Sequence, residues 1–259
     1  TLALITRAAE NGADLIATPE VTNLVTTSRA HQAQVLCAED HDPTLHAIRD
    51  LAAKLGRWVL VGSLALRGEM DARFVNRSLL IDDVGAVRAR ADKIHMFNVS
   101  LPGGERYEES AGYRPGDRAV LATTPWGKLG MTVCYDLRFA PLFRSLAQAG
   151  ATLLSVPSAF TVPTGAAHWE VLLRARAIEC GAFVLAPAQT GTHRATIGRA
   201  RQTYGHSLAI DPWGRVLADA GTAPGVTCVA LDLDQTALRR AQIPSLRHDR
   251  AYGTGSDRQ

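Results

Sequence analysis

"ATLLSVPSAFTVPTGAAHWEVLLRARAIECGAFVLAPAQ", residues 151–189, decides the fold class. ATLLSVP (151–157) is a short apolar run with the length of a buried strand. HWEVLLRARAIECG (168–181) reads as a helix stopped by Gly181, and AFVLAPAQ (182–189) is a second apolar strand. Strand and helix in alternation indicate a layered α/β fold.

Outward from this unit the alternation continues. KLGMTVC (128–134) is a strand and PLFRSLAQAG (141–150) a helix. Upstream, RFVNRSLLID (73–82) and AVRARADK (86–93) alternate apolar and polar residues about Asp83–Gly85, the pattern of a half-buried hairpin. RWVLVGSLAL (57–66) is a strand, preceded by a helix with Asp42 as N-cap, Pro43 in its first turn and Gly56 past its end. TLALITRAAENG (1–12) repeats apolar positions at helical spacing up to Gly12, and ADLIATPE (13–20) is a strand halted at Pro19. Downstream, YGHSLAIDP (204–212), GRVLADA (214–220) and GVTCVALDL (225–233) are expected strands joined by Pro/Gly turns, and DQTALRRAQ (234–242) is a last helix. Sheets each covered by helices on one face are expected, in one domain over 1–259.

Composition excludes several classes of function. Of 259 residues, 46% are hydrophobic and 20% charged, as in a globular protein with a sizeable core, and the net charge of +3 comes from mixed signs with no basic block. Nucleic acid is therefore not an expected partner. Cys37, Cys134, Cys180 and Cys228 lie far apart without C-x-x-C spacing, and the eight histidines show no H-E-x-x-H pattern. No metal, no cofactor and no disulfide framework are expected, and a reducing cytoplasm suits free thiols. No apolar run reaches the ~18 residues that cross a bilayer, so no membrane partner is expected.

Three strands end in a reactive side chain: Glu20 after LIATP, Lys93 after AVRARAD and Cys134 after LGMTV. Such ends are where layered α/β folds gather their sites. Taken singly, each has a plainer explanation. Cys134 could finish a core strand, Glu20 could cap a helix, Lys93 could be a solvated charge and Glu109 a helix-start carboxylate.

Their contexts change that balance. TPEVTN (18–23), DKIHMFNV (92–99) and GMTVCYDLRF (130–139) resemble the signature segments of the nitrilase, or carbon-nitrogen hydrolase, superfamily. LPGGERYEES, YRPGD, TPWGKLG, VPSAF, AHWEVLLRARAIE, YGHSLAIDPWG and IPSLRH extend the likeness over nearly the whole chain. The resemblance implies a four-layer α-β-β-α sandwich, assembled as a homodimer or larger homo-oligomer. It implies Glu20 as general base, Lys93 as cationic partner, Cys134 as nucleophile and Glu109 as the carboxylate that orients lysine and base. The family normally opens with a strand ahead of the first helix, whereas here Thr1 already stands in that helix. The first strand is therefore expected to be missing, the chain being a shortened form of a longer protein.

These residue types suit amide hydrolysis. A thiol divides it into acylation and deacylation, each with a lower barrier. A free thiol titrates near ~8.5, so a carboxylate to take its proton and an ammonium to favour the thiolate are both useful. Lys93 and the backbone N–H of Tyr135 are expected to stabilise the oxyanion, and Glu20 would then protonate the leaving group and activate water.

Within the superfamily, VPSAF, HWEVLLRARAIE, VLAPAQTGTH and YGHSLAIDPWG look most like the branch that hydrolyses deaminated glutathione, a small amide bearing carboxylates. An omega-amidase, a carbamoyl amino-acid hydrolase, a nitrilase or a catalytically silent binding protein of the same fold are the alternatives. The loop GTHRATIGRAR (191–201) holds His193, Arg194, Arg199 and Arg201. One or two of these arginines, Arg194 and Arg199 taken first, are candidates for pairing with a substrate carboxylate, against a merely solvated basic loop. Asp136 and Arg138 are expected to form an ion pair holding the turn after Cys134, with substrate binding a further possibility for Arg138. His168 and Trp169 are expected to open a helix and pack near the pocket.

Overall fold

In a computed structural model, which describes residues 1–101, 104–195, 197–198 and 200–253, the chain opens with α1 (Leu2–Glu10) and β1 (Leu15–Ala17). Next come α2 (Arg29–Val35), α3 (Pro43–Leu55), β2 (Trp58–Arg67), β3 (Phe74–Ile81) and β4 (Val87–Asp92). These four strands form one sheet in the order β1-β2-β3-β4, with β1 parallel to β2 and the others antiparallel. The caps of α3 are those its sequence specifies: Asp42 Oδ1 accepts from the Leu45 N–H at 2.8 Å, and Gly56 takes the left-handed conformation at φ 61°.

A small hairpin, β5 (Asn98–Ser100) with β6 (Arg106–Glu108), leads to β7 (Val120–Thr124) and β8 (Gly127–Met131). Then follow α4 (Ala140–Gln148), β9 (Leu153–Ser155), α5 (Val162–Cys180) and β10 (Phe183–Ala186). A second hairpin, β11 (Thr190–His193) with β12 (Arg201–Tyr204), precedes β13 (Leu208–Ile210), β14 (Val216–Asp219) and α6 (Asp234–Gln242). The second large sheet runs β14-β13-β10-β9-β8-β7, with β8, β9 and β10 parallel.

Residue parity along the strands makes the layers. In β2 and β3, Val59, Val61, Leu79 and Ile81 face α1 and α3, while Leu60 and Leu80 face the other sheet. In β9 and β10, Leu154 and Val184 face α4 and α5, while Leu153 and Phe183 meet Leu60 and Leu80 between the sheets. The result is the α-β-β-α order. Strands buried on both faces read as continuous apolar runs, which is why ATLLSVP and WVLVG lack alternation.

A bulge interrupts this parity where it matters for the site. The β2–β3 register shifts between Val61 and Leu64, so that Leu64 and Leu66 rejoin the helix-facing set. The displaced residues, Gly62 and Ser63, receive the chain after β1: Ser63 Oγ accepts from the Val21 N–H at 2.8 Å. A side chain at Gly62 would stand 1.9 Å from the Thr18 carbonyl oxygen.

Some expected elements differ. α5 begins at Val162, six residues before His168, because Thr161 and Pro163 make a helix start that the apolar pattern alone conceals. GTHRATIGRAR, expected as a loop, enters through the end of β11 and leaves at Arg201, the first residue of β12, while its described residues between them are outside any strand. GVTCVALDL forms no ladder: Val229, Leu231 and Leu233 are half-buried between exposed neighbours, but among the described residues no strand pairs with them, and alternation without a partner makes no sheet. β1 lies at the edge of its sheet.

Candidate active site

Each of the four residues expected to carry the chemistry leaves a strand or hairpin at the same end of the fold. Glu20 follows β1 in a turn whose Val21 adopts φ 47°, Lys93 immediately follows β4, and Glu109 heads a short 3-10 turn after β6. Cys134 lies three residues beyond β8, at the start of a one-turn 3-10 helix, Cys134–Arg138.

The structure brings these four together. Lys93 Nζ donates to Glu20 Oε1 at 3.1 Å and to both Glu109 oxygens at 2.9 and 2.8 Å. Phe97 N–H holds Glu109 Oε2 at 2.6 Å. Cys134 lines the same cavity as Glu20, Lys93 and Glu109. Glu20, Lys93 and Cys134 are 4%, 2% and 7% exposed, so this is a charged cluster inside the protein. A buried ammonium needs partners to stay charged, and here it has two carboxylates.

The protonation states follow from that arrangement. Burial pushes the Glu20 carboxyl up, but Lys93, the Cys134 thiol and Arg201 together hold it below its ordinary 4.5. Burial would lower Lys93, yet Glu109 and Glu20 raise it well above 10.5. Burial and then the Glu20 charge raise the Cys134 thiol, against a smaller opposing pull from Lys93. The resting cluster is therefore carboxylate, ammonium and neutral thiol. Lys93 does not make a standing thiolate, because the adjacent Glu20 charge and desolvation outweigh it.

Cys134 adopts φ 51°, a left-handed conformation that non-glycine residues avoid, so its neighbours must hold it. Its N–H donates to the Pro157 carbonyl at 2.9 Å. Asp136, 1% exposed, supports both sides of the elbow: Oδ2 accepts from Val133 N–H at 2.9 Å, and Oδ1 accepts from His95 N–H and Nδ1 at 2.9 and 2.7 Å. The segment bearing Lys93 is thereby tied to the segment bearing Cys134. The expected Asp136–Arg138 ion pair does not form. Asp136 is occupied by His95, and Arg138 Nη2 meets His168 Nδ1 at 3.2 Å while its guanidinium lies 5.7 Å from the Tyr135 and Phe160 ring centroids.

A cavity of about 440 Å³ opens over the cluster, lined by Glu20, Lys93, Glu109 and Cys134 with Tyr135, Phe160, Thr164, Arg106 and Arg201 among others. Of the residues expected to bind substrate, Tyr135 and the loop arginine Arg201 line it. Arg138 and Arg194 do not, and Arg199 lies outside the described residues. Trp169 is buried, packing on Phe160 at 4.8 Å and donating from Nε1 to the His206 carbonyl at 2.7 Å.

Two contributors escape a reading by motif. Asn76, 2% exposed in β3, donates from Nδ2 to Glu20 Oε1 at 2.9 Å, and Gln189 Nε2 donates to the Glu20 carbonyl at 2.9 Å. An asparagine inside FVNRSLLI is a polar interruption of an apolar strand, the one signal that marked it. Among the described residues no group of three or more His, Cys, Asp or Glu could hold a metal, and no helix is long and apolar enough to cross a membrane.

The profile of the carbon-nitrogen hydrolase family matches residues 1–241. A deaminated glutathione amidase of Yersinia enterocolitica is 43% identical over 246 residues, 93% of this chain and 83% of that protein. One from Synechocystis is 39% identical over 251 residues, covering 95% and 89%. The crystal structure of the Caenorhabditis elegans NitFhit protein superposes with a TM-score of 0.87 at 37% identity, over 96% of this chain and 60% of that one.

Proposed function

The chain belongs to the carbon-nitrogen hydrolase family, acting on C–N bonds other than peptide bonds, and from that premise we propose that it is a cysteine amidase whose substrate is deaminated glutathione. The observation that carries the mechanism is one buried cluster in which Lys93 Nζ binds Glu20 and Glu109 on the wall of the cavity that Cys134 also lines. The similarity to relatives named deaminated glutathione amidase supports the substrate.

In the proposed reaction Cys134 Sγ attacks the amide carbon as its proton moves to Glu20. The carbonyl oxygen becomes anionic near Lys93 Nζ and the Tyr135 N–H, which sits in the first turn of the 3-10 helix where no helical carbonyl serves it. Protonation of Glu20 weakens its hold on Lys93 at that moment, so the ammonium turns toward the new charge as it forms. Glu20 then returns the proton to the leaving amine. The C–N bond breaks and a thioester remains on Cys134. In the second half Glu20 takes a proton from water, the resulting hydroxide attacks the thioester, and the carboxylic acid leaves as the thiol is restored. Glu109, bound to Lys93 but not to the base, fixes the ammonium throughout.

The chain also pairs with a second copy of itself in this reading. Val171 and Ile178 of α5 are 69% and 54% exposed beside Trp213 at 53%, an apolar outer face on a helix whose inner face is already buried.

The test is a substrate panel of deaminated glutathione, an omega-amide 2-oxo acid, a carbamoyl amino acid and a nitrile, with the released acid and amine identified by mass. Preference for deaminated glutathione by kcat/KM supports the reading; preference for another member replaces it.

A further inference from the structure

We propose that Arg201 is the specificity-determining residue of this site, binding a carboxylate on the acyl half of the substrate. This rests on the amidase reading above and narrows it to amides whose acyl chain ends in an anion.

Arg201 reaches the cavity through structure that its sequence context does not announce. β12 pairs with β11 in register His193↔Arg201 and packs against α5, where the Tyr204 ring fills the space that a side chain at Gly165 would take, 2.2 Å from its Cβ position. This fixes the hairpin on the cavity wall. Arg201 Nη2 then donates to the Ala159 carbonyl at 2.6 Å. The Cys134 N–H is held by the carbonyl of Pro157, two residues before Ala159. Nucleophile and guanidinium are thus anchored to the same short segment, Pro157 to Ala159, and line one cavity. One short acyl chain spans both.

The charge at this point is unspent. Two arginines of low exposure are neutralised, Arg77 by Glu39 and Asp92 and Arg176 by Glu179. Arg201 forms no ion pair among the described residues, and its Nε is buried without an acceptor. Its cross-strand neighbour His193 is held low, first by burial and then by Arg201, so it stays neutral. Lys93 is already shared between two carboxylates, and of the three cavity arginines without an ion pair among the described residues, Arg29, Arg106 and Arg201, it is Arg201 that is anchored to Ala159. A fold that keeps an unneutralised arginine with an unmet N–H at its active site carries a cost that an anionic ligand relieves.

The ends of the substrate are distinguishable. Glutaramate carries a carboxylate on its acyl half, N-butyrylglycine carries one on its amine half, and valeramide carries none. In the Arg201→Met variant, kcat/KM for glutaramate relative to valeramide is expected to fall at least about tenfold, through KM, the range expected for a charged hydrogen bond. Arg201→Lys, which keeps the charge without the planar fork, recovers part of that ratio. Equal losses on glutaramate and valeramide, or a larger loss on N-butyrylglycine than on glutaramate, overturn the proposal. Should the wild-type enzyme cleave none of these amides, the amidase reading fails separately. Arg201 is then judged by calorimetric binding of glutarate, which should weaken at least about tenfold in Arg201→Met. No glutarate binding by the wild type, or equal binding by both, also overturns it.

Discussion

Asparagine in place of Asp136 tests how the nucleophile is held. The carboxylate accepts Val133 N–H on one oxygen and both His95 donors on the other. A side-chain amide has a single oxygen, so whichever way it turns, its NH2 faces a donor. If the oxygen stays with His95, the Val133 bond is lost outright, about 1.5–3 kcal/mol for a bond to a charged group, and the two that remain fall to neutral strength. With the site 1% exposed, water does not replace the missing acceptor. The expected loss of stability is about 3 kcal/mol, read by urea unfolding. Because Cys134 at φ 51° depends on this elbow, kcat is expected to fall on the order of 100-fold even where the variant is fully folded. An Asp136→Asn enzyme within about 0.5 kcal/mol of wild type and within about threefold in kcat would refute the reasoning.

Other consequences follow from the same geometry. Glu20 is held below its ordinary 4.5 in the folded state, so its ionised form contributes stability above that pH, and the contribution is lost as pH falls through the lower folded value. The acid limb of the kcat/KM profile should accordingly lie below pH 4.5, and an acid limb near 6 would contradict the ionised base. Gly62→Ala pushes a methyl into the Thr18 carbonyl and the Pro157 side chain, and should destabilise by about 3 kcal/mol or prevent folding; unchanged unfolding would mean that the strand–turn approach yields easily. Val171→Lys should shift the protein from dimer to monomer by light scattering, and a monomeric wild type would remove the dimer proposal.

Much of the fold was legible because chain punctuation is local. Asp42, Pro43, Gly56 and Gly181 stop and start helices by their own chemistry, and they do so here. The β11–β12 hairpin was not legible, since its strands hold Gly, Thr, His and Arg and depend on packing against α5. The site divides along the same line. Glu20, Lys93, Cys134 and Glu109 stand in recognisable segments, whereas Asn76, Gln189 and Arg201 reach the cluster through pairing and layer contacts between distant parts of the chain. Arg138 shows the converse: its position four residues after Cys134 suggested the cavity, but stacking on Tyr135 and Phe160 turns it to His168.

The central claim is that the Cys134 sulfur becomes acylated. Intact-mass measurement of enzyme quenched in acid during turnover should show a gain equal to the acyl group, mapped to the peptide containing Cys134 and absent from Cys134→Ala. Turnover that proceeds with no such gain, or that survives in Cys134→Ala, would contradict it.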